Sequence, residues 1–340
     1  MRGLRSNHSE QGLTLVELMV AMILSLLLIA GASSMFLGSK KTFKVQEESA
    51  RIQENIRYIV SRMIKEISPA GFYGCAPSAQ KGASRIHSTV KKDDDLGGLY
   101  NFDHAVTGSE GGEESADSLT VRYALPEYAL PVTAPMTPGE SAVFVDSDHP
   151  AYDELEVGDI ITVSDCSMIA AFMLTNKTDD GKLEHKTELS LDGVYNIETE
   201  TTHYFGSEHY SSATAIKMDA VTYSLSTTID DQGTPSDDDD TVTSSLYATR
   251  LGGNRQEILS GVEDFQVSYG IDITDPPDGT SDRYIDWDTV DGQFENRIAS
   301  LRITLTISSG KPVPKAEDRG PDFKEKIEFI VKLRNRLADL

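Results

Sequence analysis

The first residue that could do chemistry is a carboxylate set in hydrocarbon. In "SEQGLTLVELMVAMILSLLLIAGASSMF" Glu17 stands at the head of a stretch, Leu18 to Ser39, that holds no charged residue. Carrying a carboxylate into hydrocarbon costs about 2.5–3.5 kcal/mol or more, so Glu17 requires a partner. A cut between Gly12 and Leu13 would supply one, because Leu13 would then bear a new α-amino group one helical turn before Glu17. Within one chain both groups share a helix end. The satisfying geometry is therefore between staggered neighbours, Glu17 of one subunit against the amine of the next. The chemistry is ion pairing in a low-dielectric medium, and its outcome is assembly.

Other candidate groups are weaker. His203 and His209 flank Glu208 in "HYFGSEH", a spacing that does not converge them on a metal as HExxH would. Asp272, Asp275, Asp278 and Asp282 surround a glycine in "DITDPPDGTSD" and loosely resemble an acidic calcium loop. They lack the glutamate that closes an EF-hand, so a solvated loop is the expectation. "NKT" at 176–178 fits a glycosylation sequon, as chance triplets do. No G-x-S-x-G, Walker A or GxGxxG pattern occurs, so neither a catalytic residue nor a cofactor is expected. The two cysteines, Cys75 and Cys166, form no CxxC. One disulfide is their simplest use outside the cytoplasm, closing a loop of roughly 90 residues that would stabilise the fold by about 4–5 kcal/mol.

The elements that carry these groups begin with the apolar run. It is long enough to cross a bilayer at ~1.5 Å per residue. It has three readings. A secretory signal would use Arg2 and Arg5 and a small-residue cut at Ala30-x-Ala32. A plain membrane anchor is the second, and a leader cut before the apolar run, after Gly12, is the third. Glu17 separates them, since only the third gives the carboxylate a use.

On these residues the segment resembles the processing site and first helix of type IV pilins and type II secretion pseudopilins. The matching pieces are Gly12 before the cut, a hydrophobic first mature residue, and glutamate as the fifth. The resemblance implies a prepilin peptidase that cleaves after Gly12 and methylates the Leu13 amine. Leu13 departs mildly from the more usual phenylalanine.

Beyond the run, "RIQENIRYIVSRMIKEISP" places Ile52, Ile56, Ile59, Val60, Met63, Ile64 and Ile67 at spacings of three and four, one face of a helix. Pro69 and Gly71 end it. A single helix over 13–67 would be roughly 80 Å long; two helices broken near Gly31 to Gly38 fit the pattern equally. Afterwards the chain alternates with period two. Leu119, Val121 and Tyr123 share a strand face, as do Val221, Tyr223 and Leu225. Phe265, Val267, Tyr269 and Ile271 do the same, then Leu301, Ile303, Leu305 and Ile307, then Ile327, Phe329, Val331 and Leu333. "GDIITVSDCSMIAAFML" adds further strands, and "KKDDDLGGLYNFDHAVTGSEGGEESADS" reads as a polar, Gly-rich linker.

The expected fold is α+β and pilin-like, a long N-terminal α-helix packed on antiparallel β-sheet. Its divisions are a removed leader at 1–12, a helix at 13–67 with a membrane-embedded half (13–39) and an amphipathic half (40–67), and a β-rich globular domain at 68–340. A net charge of −24 over 340 residues argues against a direct nucleic-acid surface and for simple solubility.

"AGFYGC", "ILSGVEDFQVSYGID", "RIASLRITLTISS" and the terminal "FIVKLRNRL" resemble the PilW family of minor pilins. That likeness implies a non-enzymatic role in pilus assembly, in a priming, tip-proximal complex. The implied partners are other minor pilins, the major pilin, the prepilin peptidase and the inner-membrane assembly platform. The implied location is the bacterial inner membrane with the globular domain in the periplasm, then the filament. Two alternatives are a minor pseudopilin of type II secretion and a secreted adhesin or enzyme released after Ala32.

Overall fold

A computed structural model describes residues 15–76, 79–80, 83–84, 86–93, 98–112, 115–137, 139–165, 167–198, 205, 213–230, 241–290, 292, 294–308, 313–314 and 324–334. Gly12, Leu13, Cys166, His203 and His209 lie outside these residues. The chain forms two units, Met1–Arg51 and Ile52–Leu340. One helix, α1 (Leu15–Ile67), supplies the described part of the first unit and the opening of the second. It is continuous through Gly31 and Gly38, which settles the choice between one helix and two. A β-carbon at either glycine would meet nothing within 4 Å, so no packing need forces a kink there. Ser68 N donates to Ile64 O at 3.0 Å, and Gly71 at φ +84° turns the chain away.

In the second unit the predicted stripe is the buried one. Ile52, Ile59, Met63 and Ile67 are enclosed, and Ile56 and Val60 are half-buried against the same core. Ile64 departs from the prediction at 39% exposed, because it borders an open groove.

The main sheet is assembled from β1 (Ile86–Ser88), β2 (Val106–Ser109), β3 (Ser118–Pro131), β4 (Ile160–Ser164), β5 (Ile169–Met173), β6 (Thr214–Asp230), β7 (Thr241–Arg250) and β8 (Arg255–Ser260). Its order is β8-β7-β6-β4-β5-β1, with β3 also on β6, β2 on β3 and Val313–Pro314 on β7. All pairs are antiparallel except β1–β5. β6 is 17 residues long, enough to pair with β4 at its start, β3 through its middle and β7 to its end. A second sheet runs β10-β9-β11-β12, from β9 (Val262–Ile271), β10 (Arg283–Ile285), β11 (Ile298–Ser308) and β12 (Lys324–Lys332). Register confirms the alternation: Phe265 faces Leu305, Val267 faces Ile303 and Tyr269 faces Leu301, all buried.

Two features escape a period-two reading. The β4–β5 hairpin is buried on both faces. Ile160, Ile169, Ala171 and Met173 join the core beneath α1, while Ile161, Val163, Ala170 and Phe172 join a second core with Val143, Leu183 and Phe205. A strand buried twice loses its polar face and reads as an unbroken apolar run.

The second feature is Arg122, fully buried on β3. Its guanidinium donates to Leu99 O at 3.3 Å, His104 O at 2.9 Å, Thr107 Oγ1 at 3.0 Å and Gly98 O. Those carbonyls fold the stretch expected to be a linker into the core, where Leu99, Tyr100, Phe102, Ala105 and Val106 are enclosed. That corrects the linker reading. The physical reason is a forked cation satisfying backbone acceptors, which a composition-based reading cannot see.

In the second core, His185 is buried and stacked on Phe172 with ring centroids 4.3 Å apart. Neither ring nitrogen has a hydrogen-bond partner among the described residues. Burial lowers its pKa from 6.5 to about 4, so the folded state holds it neutral. The unfolded chain binds the proton more readily. Its contribution is therefore intact above about pH 6.5 and is lost as pH falls toward about 4, at up to ~1.4 kcal/mol per pH unit. The expected outcome is an unfolding free energy that declines across that window in urea titrations. His185→Phe should flatten the decline, and a slope unchanged in the variant would refute the assignment.

Candidate functional site

The assembly candidate is the exposed part of α1. Glu17 lies in the helix's first turn, where a carboxylate meets the positive end of the helix dipole. From Leu15 to Leu37 the large apolar side chains are exposed all round, Leu15 at 76% and Leu37 at 65%. None of this apolar stretch is buried within the structure, and the helix is long and apolar enough to cross a membrane. Small polar residues on this helix satisfy themselves locally. Ser25 Oγ donates to Ala21 O at 2.7 Å, and Thr42 Oγ1 to Gly38 O at 3.1 Å.

The other end of α1 carries a cluster that the sequence analysis did not find. Glu66 Oε1 accepts from Arg62 Nε at 3.2 Å and Arg250 Nη2 at 2.8 Å, while its Oε2 accepts from the Tyr223 hydroxyl. Arg250 Nη1 also donates to Asp219 and lies 3.5 Å from the Tyr123 hydroxyl. Two cations and two carboxylates thus join the last turn of α1 to β3, β6 and β7. Burial raises the Asp219 pKa even though Arg250 opposes the change. Burial and then the Asp219 charge push the Tyr123 hydroxyl up to about 12, and burial and Glu66 push Tyr223 further up. Both tyrosines therefore stay neutral hydrogen-bonding groups. Glu66 and Arg250 stand 184 positions apart, so no spacing in the sequence signals the pair.

Three of the four aspartates of the loosely calcium-like loop, Asp272, Asp278 and Asp282 but not Asp275, are engaged with its own backbone. Asp272 is fully buried, its Oδ1 accepting from Thr274 N at 3.1 Å and its Oδ2 from Gly279 N at 2.6 Å. Asp282 Oδ2 accepts from Ile273 N at 2.8 Å, and Asp278 Oδ1 from Thr280 N at 2.8 Å. These carboxylates hold a turn, and no group of three or more His, Cys, Asp or Glu among the described residues is arranged to hold a metal ion. Asn176 of the sequon donates to Glu184 Oε2 at 3.1 Å.

Around Cys75 the packing is close. Ala76 N donates to Ser164 Oγ at 3.3 Å. Gly74, at φ +116°, could not carry a β-carbon, because it would stand 2.7 Å from Ser164 Cβ. Asp165 Oδ1 accepts from Ser167 N at 2.8 Å and Met168 N at 2.9 Å.

Comparison with known families gives two matches. Residues 7–33 match the prokaryotic N-terminal methylation motif, the segment that contains Glu17 and the start of α1. Residues 236–324 match type IV pilus-assembly protein W, a stretch that runs from β7 to the first residue of β12. Together the two matches support a type IV pilus minor pilin of the PilW family. No curated protein and no solved structure matches it.

The W-family match covers β7 to β11 and includes Arg250, the residue that ties the body to the end of α1. A pilus-assembly match suits a structural role among other pilins and the assembly machinery, and the apolar helix suits a membrane anchor. If the Arg250 cluster fixes the last turn of α1 on the body, Arg250→Leu should lower the pilin's unfolding free energy by about 1–3 kcal/mol. That is below the cost of breaking a fully buried pair, because a third of the Arg250 side chain is wet. An unchanged urea midpoint in this variant would count against the role.

Proposed function

We propose that this minor pilin is made with a leader, residues 1–12, cut between Gly12 and Leu13 by a prepilin peptidase that methylates the Leu13 amine. It then waits in the bacterial inner membrane, with residues 13–39 in the bilayer, 40–67 as the amphipathic half of the helix and 68–340 as the periplasmic β-rich domain. The observation that carries this reading is the apolar stretch of α1, exposed on every side up to Leu37, whose one carboxylate, Glu17, stands in the first turn. Two opposite charges 4 Å apart attract by about 4 kcal/mol at an effective dielectric of 20, enough to offset the cost of placing Glu17 in hydrocarbon. Glu17 therefore meets the Leu13 amine of a neighbouring subunit. The pilin works without catalysis, in a priming complex near the tip with other minor pilins and ahead of the major pilin. A subunit that keeps Glu17 has a neighbour on the side toward which the carboxylate points.

Two measurements on one strain test this. Mass spectrometry of the mature chain should find methylated Leu13 at the N-terminus, and a chain beginning at Ser33 would overturn the reading. Glu17→Ala should reach the membrane in normal amount yet enter sheared pili at a level several-fold below wild type; equal incorporation would remove the pairing argument.

For the cysteines we infer one disulfide, Cys75 to Cys166, which the close approach of Gly74 and Ala76 to Ser164 supports. Non-reducing peptide mapping should recover the two peptides joined, and two free thiols would refute the link.

A further inference from the structure

β12 is the last strand of its sheet, and its far side has no strand beside it among the described residues. It pairs with β11 in unbroken register from Ser308–Lys324 to Ser300–Lys332, without a bulge that would turn the far edge away. Alternate residues of this nine-residue strand therefore present their N–H and C=O groups on one straight outer edge, the others bonding to β11. The side chains along it are unusual for this chain. Lys326, Lys332 and Arg334 have no acidic partner among the described residues, in a protein of net charge −24. Glu328 is already turned to Arg302 at 3.7 Å, and Lys324 to Glu263 at 2.5 Å. On the core side of the strand, Ile327 and Phe329 are only half-covered.

The edge leads into a groove. Arg334 N donates to Ser68 O at 3.2 Å, which brings the end of the strand to the end of α1. There Ile64, Pro69, Phe72 and Pro126 line a mostly apolar depression of about 400 Å³, with Lys65 and Arg334 at its rim. This is the groove that leaves Ile64 exposed.

We propose that the open edge of β12 accepts an added strand from another protein chain. The occupant is an extended segment that alternates acidic with apolar residues and ends in one large apolar side chain. Main-chain hydrogen bonds along Lys324–Lys332 provide the attachment. Lys326, Lys332 and Arg334 select acidic positions, the added strand covers Ile327 and Phe329, and the groove takes the terminal side chain. A second copy is the poorer occupant, because pairing β12 with itself would set one cationic edge against another. The inference stands apart from the pilin's N-terminal processing and does not depend on it.

The test uses the full chain in detergent micelles and a fluorescein-labelled nine-residue peptide alternating glutamate and valine with a C-terminal phenylalanine. Fluorescence anisotropy should rise to saturation, and hydrogen exchange should slow within Lys324–Lys332. The surface variant Lys326→Glu/Lys332→Glu should bind about tenfold or more weakly, a loss of about 1.4 kcal/mol. Ile64→Asp should weaken this peptide but not one ending in alanine. N-methylation of alternate peptide amides should abolish binding in one register only. The proposal is overturned by any of four results: no binding; equal binding of a peptide with lysine in place of glutamate; indifference to N-methylation in both registers; or a dimer of the chain with β12 protected before any peptide is added.

Discussion

A helix that must satisfy hydrocarbon at one end and a protein interior at the other can do so only by changing its pattern along its length. α1 makes that change between Lys40 and Ile52. Before it, apolar residues cover every side; after it, they are confined to the stripe of Ile52, Ile59, Met63 and Ile67. Everything in the body answers to that stripe. β3, β6 and β7 bring Leu119, Val121, Val221, Tyr223 and Leu246 to it, and the second sheet closes the same core with Phe265, Val267, Leu301 and Leu305. Burying four large aliphatic side chains contributes on the order of 1.5–3 kcal/mol each before entropy is counted.

Hydrophobic burial does not fix which residue of a smooth stripe meets which strand. Polar contacts at the end of the helix do. Glu66 can meet Arg250 and Tyr223 at one rotation and one axial position only. A shift of one helical turn would part Glu66 from both Arg250 and Tyr223, leaving it only Arg62 on its own helix and stripping a half-buried arginine of one of its two carboxylates. Apolar area thus supplies the attraction and the charge cluster sets the register. A single ion pair would be a weak device at a wet surface. Here two tyrosines kept neutral by burial close the sides of the cluster.

Much of this was legible in the sequence because it is local. The Glu17 anomaly, the change of helix pattern after Lys40, and the alternation in β6, β9, β11 and β12 each lie within a window of ten to twenty residues. What could not be read rests on distant contacts. Arg122 looks like an ordinary polar residue on a strand until the chain between Gly98 and Thr107 wraps around it. Arg250 resembles any surface arginine at a strand end. Ile64 carries the right spacing for the buried stripe and is excluded only by where the body ends. The loop of Asp272 shows the reverse case. Its composition is that of a cation ligand set, yet its oxygens are spent on turning the backbone.

The β4–β5 hairpin has a consequence for the body as a mechanical object. Because successive residues dip alternately into the core under α1 and into the core around Phe205, the hairpin is a shared wall. Any loosening that separates one core strips a face of the wall that the other core also uses. Among the described residues, the two cores are therefore joined through this hairpin. A force that strained one core would be felt by the other through that wall.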